Sequence, residues 1–369
     1  MGTPNGVSKQ FLDALEMRGV GRRDFLRYCG STAALLGLSE LYVPQIAAAI
    51  EAASQRQPVV WLNFASDTGC TEAFIKATYP GPAQIILDIL SLDYNETIMA
   101  AAGKQAEEIL DRSKNTGGYI LIIEGGMPTK KGFGMIAGKE MLDVFADFAR
   151  PAMAILAVGS CATCGGVPAG NPNPAQIIGV SEALKRLAIN KPVVNLDLCP
   201  ANPQYVAGVV VNFLLLGKLP DLDAVGRPRM FYGQTIHDNC ERRAHFDAGR
   251  FVETFGSDEE ARNYCLYKMG CKGPATYSAC PQVQYNNRTS WCIAAGGPCI
   301  GCAEPGWYDK FAGFYEKLPG VTIPGIGGVE AGADKLGAVA AAATVAGIAI
   351  HAAATAISGR AKDEQRGEK

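Results

Sequence analysis

Between residues 57 and 220 the chain alternates two hydrophobic patterns. Four runs are continuously apolar: PVVWLNF (58–64), YILIIEGG (119–126), AMAILAVGS (152–160) and PVVNLDLC (192–199). A strand reads this way when helices cover both faces of its sheet. The intervening stretches AGKQAEEILDRS, KEMLDVFADFAR and SEALKRLA space their apolar residues as helices do. The alternation predicts an α/β fold, a flavodoxin-like parallel sheet over residues 57–225. Such sheets bind ligands beyond the carboxyl ends of their strands. Cys70, Cys161 and Cys199 fall at three of those ends, where a metal site would form. No GxGxxG follows the first strand, so a dinucleotide is not indicated, and the GIGG at 325–328 lies in a late loop.

From residue 226 to 330 the regular pattern fades and a cysteine register replaces it. Its order is His237-x2-Cys240, Cys265-x5-Cys271, Cys280, Cys292, then Cys299-x2-Cys302, set among loop residues. A loop-rich segment buries little apolar surface, and metal ligation can supply the missing folding energy. Eight ligands make two four-ligand sites, and the strand-end thiols make a third. Zinc would be held by such sets as closed structural sites. Iron–sulfur clusters take cysteine thiolates, with histidine substituting in some. Three redox clusters in one chain make a wire.

Both ends carry targeting patterns. GRRDFLRYCGSTAALLGL, with Arg22-Arg23 and then Ala47-Ala48-Ala49, has the shape of a twin-arginine export signal over residues 1–49. Cleavage is expected near Ala49, Ala53 also being suitable, and Cys29 leaves with the leader. The run 336–357, LGAVAAAATVAGIAIHAAATAI, contains no Asp, Glu, Lys or Arg. At ~1.5 Å per residue it spans about 33 Å, enough for a transmembrane anchor. His351 within it needs protein, water or a cofactor to face.

The 369 residues carry a formal net charge of -2, and no basic excess suggests a nucleic-acid partner. Twelve cysteines in an exported chain raise the alternative of disulfides. The twin-arginine route argues against it, because proteins cross folded and their thiols can already be occupied by metal.

With RRDFL, WL…TGCTE, LIIEGGMP, GSCATCGGVPAGNPNP, CPANP, HDNC, NYCLYKMGCKGPATYSACP and GGPCIGCAEPGW in place, the chain resembles the electron-transferring small subunit of a membrane-associated [NiFe] hydrogenase. The likeness covers nearly its whole length. It implies a proximal cluster on Cys70, Cys161 and Cys199, and a distal [4Fe-4S] cluster on His237, Cys240, Cys265 and Cys271. It also implies a medial cluster on Cys280, Cys299 and Cys302. The nickel–iron centre would lie in a large-subunit partner, in an oligomer of heterodimers at the periplasmic face of the membrane. Electrons would pass to a cytochrome b or other quinone-linked acceptor. Glu72 and Glu124 match acidic positions of the family and are expected to face that partner or to cap locally. The rival readings are an iron–sulfur subunit of a quinone-reducing respiratory complex, and a structural metal protein.

Two positions depart from the family pattern. Asp67 stands where the first proximal cysteine is usual, in S66-D-T-G-C70. Asp67 completes a three-Cys, one-Asp [4Fe-4S] cluster, or Cys164 supplies the fourth thiolate, or the cluster holds three irons. We favour Asp67, a hard oxygen ligand that distinguishes one iron. Family members that resist oxygen have unusual proximal clusters, so oxygen tolerance is an expectation here. Cys292 stands where proline is frequent, and predicts a medial [4Fe-4S] cluster in place of [3Fe-4S].

Overall fold

The four apolar runs become four of the five strands of one parallel sheet in the computed structural model. It describes residues 7–17, 21–35, 38–53, 58–76, 91–216, 218–286, 288–318 and 341–355. The strands are β1 (Pro58–Asn63), β2 (Ser91–Asn95), β3 (Ile120–Glu124), β4 (Ala154–Val158) and β5 (Val193–Leu196). They lie in the order β2-β1-β3-β4-β5, all parallel, which is the flavodoxin-like order. Strand β2 went unread in the sequence. SLDYN is an edge strand with exposed and half-buried residues, so it lacks the continuous apolar run of a doubly covered strand.

Period-two alternation splits the sheet's side chains between two cores. Val60, Leu62, Leu121, Ile123 and Ile155 face one side, against Phe145 and Phe148 of helix α6 (Met141–Ala149). Val59, Trp61, Ile120, Ile122 and Leu156 face the other, against Tyr205, Val206 and Val209 of helix α9 (Pro203–Leu216). Each such burial contributes about 1.5–3 kcal/mol. The cysteine-rich half joins this second core, placing Leu266, Cys271, Cys280, Ile293 and Cys299 in the same cluster. Its ligands are thereby tied to the sheet.

Three helices open the chain: α1 (Lys9–Met17), α2 (Arg22–Leu35) and α3 (Val43–Ala53). Arg22 and Arg23 are exposed at the start of α2. Phe25, Tyr28, Cys29, Ile46, Ala47 and Ile50 form a buried cluster of their own, and α3 packs on α9. Among the described residues no helix is long and apolar enough to cross a membrane. The helical stretch 341–355 has 15 exposed residues, short of the about 20 a bilayer requires. The spanning helix expected over 336–357 is therefore not supported; residues 336–340 and 356–357 lie outside the described ones.

Candidate metal centres

The first centre forms where strands end and short helices begin. After β1 the chain turns through Asp67, whose Oδ1 accepts the Gly69 N–H at 2.9 Å. It then enters helix α4 (Gly69–Ile75), with Cys70 in its first turn. After β4, Gly159 leads into helix α7 (Ser160–Cys164), with Cys161 in its first turn. Cys199 follows β5. The backbone N–H of Ala201 donates to Cys70 Sγ at 3.3 Å. Two glycines leave room for the sulfurs. A Cβ on Gly159 would lie 2.5 Å from Cys70 Sγ, and one on Gly166 2.6 Å from Cys161 Sγ.

The electrostatics bind these four residues into one site. Burial pushes Cys161 up to about 12, and the charges of Cys199 and Asp67 push the same way. Burial raises Cys70 too, followed by Glu124 and, more weakly, Cys161 and Cys199. Cys199 is raised by burial and then by Asp67. Burial and neighbouring negative charge thus oppose ionisation of all three thiols. A polynuclear iron–sulfur core would supply the positive charge that lets the thiols bind as thiolates. The donor set and the cradle therefore fit such a core.

Cys164 points elsewhere: its Sγ lies 3.2 Å from the Ser160 carbonyl oxygen, one turn back on α7. The sequence placed Glu124 and Glu72 together as acidic positions facing a partner or capping. The structure separates them. Glu72 is exposed and paired with Lys76 at 3.1 Å. Glu124 is buried at 1 % exposure and closes the start of α4. Its carboxylate accepts from Trp61 Nε1 at 3.1 Å, Cys70 N at 2.9 Å, Thr71 N at 3.1 Å and the Thr71 hydroxyl. Helix starts leave such N–H groups without partners. Burial raises the Glu124 carboxyl above its ordinary range despite those bonds. Changing Glu124 to Gln turns a donor toward these donors and should cost about 1–3 kcal/mol, read from the urea midpoint. An unchanged midpoint would refute the capping role.

A second group lines one pocket: His237, Cys240, Cys265 and Cys271, walled by Ile236 and Leu266. Burial, then the Arg243 charge, holds His237 below its usual value. Phe246 meets its ring edge-on at 4.5 Å. Burial and that charge both favour the neutral imidazole, the form that binds metal. The N–H groups of Arg242 and Gly273 donate to Cys240 Sγ and Cys271 Sγ, each at 3.4 Å. Backbone donors of this kind set the electronics of ligated sulfur.

The third group is Cys280, Cys292, Cys299 and Cys302. Cys292 acts on Cys280 and on Cys302, and Cys280 acts on both Cys299 and Cys302. Ser278 Oγ lies 3.1 Å from Cys280 Sγ, and the Gly301 N–H reaches Cys299 Sγ at 3.4 Å. The groups form a series. Cys302 lies within electrostatic reach of Cys199 of the first centre, and Cys299 within reach of Cys271 of the second. All twelve cysteines are free thiols. Among the described residues no three His, Cys, Asp or Glu side chains close to single-ion spacing. A lone zinc, with its bonds of about 2.3 Å, draws its sulfurs closer together than a cluster does.

Known proteins share this plan. The sequence model of the family described as the C-terminal part of the NiFe/NiFeSe hydrogenase small subunit matches residues 232–315. That described as NADH ubiquinone oxidoreductase, 20 Kd subunit, matches residues 68–213. The uptake hydrogenase small subunit of Azotobacter vinelandii is 45% identical over 351 residues, 94% of this chain and 96% of that protein. The periplasmic [NiFe] hydrogenase small subunit 1 of Nitratidesulfovibrio vulgaris is 44% identical over 308 residues, 83% of this chain and 96% of the relative. The crystal structure of a reduced, active Ni-Fe-Se hydrogenase from Desulfomicrobium baculatum superposes with a TM-score of 0.67 at 32% identity. That match covers 71% of this chain and all of the other.

Proposed function

Because the chain belongs to the [NiFe] hydrogenase small-subunit family, we propose that its three thiol groups are one electron path leading away from a catalytic centre in a large-subunit partner. The chain is the electron-transfer subunit of an H2-oxidising enzyme, with iron–sulfur clusters as its cofactors and a periplasmic location like that of its relatives. The observation that carries the path is that all three groups meet in one core: Cys70 of the first, Cys240 and Cys271 of the second, and Cys280, Cys299 and Cys302 of the third, with the Lys272 N–H beside Cys271 donating to the Cys299 carbonyl at 2.7 Å.

The proximal cluster is assigned to Asp67, Cys70, Cys161 and Cys199. The medial is assigned to Cys280, Cys292, Cys299 and Cys302, and the distal to His237, Cys240, Cys265 and Cys271. All three are read as [4Fe-4S]. Each supplies reversible one-electron storage when bound. The chain's own part is to set spacing, exclude water and donate N–H groups to the sulfurs. Asp67 is preferred over Cys164 because its charge is felt by both Cys161 and Cys199, while the Cys164 charge acts more weakly on Cys161 and its thiol turns to Ser160. Export by the twin-arginine route, delivery to a membrane cytochrome b or quinone-linked acceptor, and tolerance of oxygen complete the reading. Rapid, irreversible loss of H2 oxidation in low oxygen would remove the last of these.

Metal analysis of the native heterodimer tests the reading. About twelve irons per small subunit, with matching acid-labile sulfide, are expected; three zincs would end it. Changing Cys292 to Pro should remove about one iron and bring up an oxidised [3Fe-4S] EPR signal. If that signal is already present in the parent protein, Cys292 is not a ligand. Changing Asp67 to Ala should perturb the proximal signal, while Cys164→Ala leaves it intact. The reverse result hands the site to Cys164. The respiratory-complex alternative shares the α/β half, but the C-terminal match over 232–315 favours the hydrogenase.

A further inference from the structure

Two arginines are buried in the region of the clusters, and their surroundings differ. Arg227, 6 % exposed, is paired with two carboxylates, Asp223 at 2.8 Å and Glu304 at 3.2 Å. Arg242, 3 % exposed, has only neutral partners. Its Nη1 donates to the Tyr264 carbonyl at 3.0 Å and its Nη2 to Asn263 Oδ1 at 3.1 Å. Its Nε is buried with no hydrogen-bond partner. No carboxylate pairs with Arg242 among the described residues. The neighbouring Arg243, whose charge also reaches His237, is half-exposed and offset by carboxylates, Asp247 at 2.9 Å and Asp238 at 3.8 Å.

A buried guanidinium keeps its charge, and taking that charge out of water is costly unless opposite charge meets it. Arg242 lines the pocket formed by His237, Cys240, Cys265 and Cys271. Its backbone N–H already touches Cys240 Sγ at 3.4 Å. Three thiolates and a neutral imidazole around a [4Fe-4S] core leave the oxidised site singly negative and the reduced site doubly negative. A fixed positive charge beside it favours the second state more than the first, because its attraction grows with the charge it faces.

We propose that Arg242 tunes the distal site: its buried charge, matched by no carboxylate and set in the wall of the ligand pocket, raises that site's affinity for an electron. This rests on reading the pocket as a cluster site. At the exit end of the path, a raised affinity draws electrons outward from the medial site. Arg242 touches no reacting atom; it is a positioning residue acting through charge.

The test is a potentiometric EPR titration of the native heterodimer, with iron analysis, for the parent, Arg242→Gln and Arg242→Lys. In Arg242→Gln the distal couple should become harder to reduce by tenfold or more, 59 mV for one electron. The proximal and medial couples should be unmoved. Arg242→Lys keeps the charge and should stay near the parent. A distal couple unchanged in Arg242→Gln, or shifted equally in Arg242→Lys, overturns the proposal. Should Arg242→Gln lose the distal iron, retention in Arg242→Lys supports the role of charge. Loss in both variants shows that the fork's bonds to residues 263 and 264 matter, and overturns it. A parent lacking distal iron defeats the cluster reading itself, a separate outcome.

Discussion

Replacing Gly159 with alanine is expected to empty the proximal site, lowering iron by about a third and erasing the proximal EPR signal in the assembled enzyme. Gly159 sits at φ 87, ψ 154, a region that essentially only glycine occupies. The added Cβ would lie 2.5 Å from Cys70 Sγ, well inside contact distance. Neither side can retreat. The Gly159 N–H donates to the Leu196 carbonyl at 3.0 Å, and that of Ser160 to Leu198 at 2.8 Å, fixing the turn to β5. Cys70 is held through Glu124 at the start of α4. Gly103→Ala is the control. It too has positive φ, 54, but nothing lies within 4 Å of its Cβ. It should cost about 1–3 kcal/mol and leave iron unchanged. Full iron in Gly159→Ala would show that the cradle is not the cluster's seat.

Arg227→Met should cost about 3–5 kcal/mol near neutral pH, because it strands a buried carboxylate, Glu304, and a half-buried one, Asp223, without their cation. The guanidinium joins the two halves of the chain. It holds Asp223 at 2.8 Å after the α/β half and, beside Cys302, the Ala303 carbonyl at 2.7 Å and Glu304 at 3.2 Å. Burial alone would raise the Asp223 carboxyl. The Arg227 backbone N–H and guanidinium outweigh that and hold it below its ordinary value. The resulting stabilisation is complete above the unfolded carboxylate value of about 3.9. It is lost as pH falls through the still lower folded value. Urea midpoints for parent and Arg227→Met should therefore differ widely at pH 7 and converge below about pH 4. A gap independent of pH between 7 and 3 would mean that packing against Tyr232, 5.1 Å away, is the whole effect.

Much of this was legible because some patterns are local. The apolar runs marked four strands to within three residues at either end, and their cysteines marked the strand ends. The His237-x2-Cys240 and Cys299-x2-Cys302 spacings brought out pairs of candidate donors before any contact was known. The edge strand β2 escaped because half of its surface is not covered. Glu124 carried no local sign of its task. Its donors, Trp61, Cys70 and Thr71, lie more than fifty residues away. Arg242 and Arg243 are adjacent and identical in type, yet one is buried among neutral partners and the other pairs with exposed acids.

The sequence alone determined the family, the parallel α/β plan and the inventory of sulfur, imidazole and carboxylate donors, since period and spacing are properties of the chain itself. Tertiary structure decided which donors meet, in what series the groups stand, and which charges are left unpaired. Those depend on distances between segments far apart in the chain and on the loss of water around them, and neither is written in any one stretch of residues.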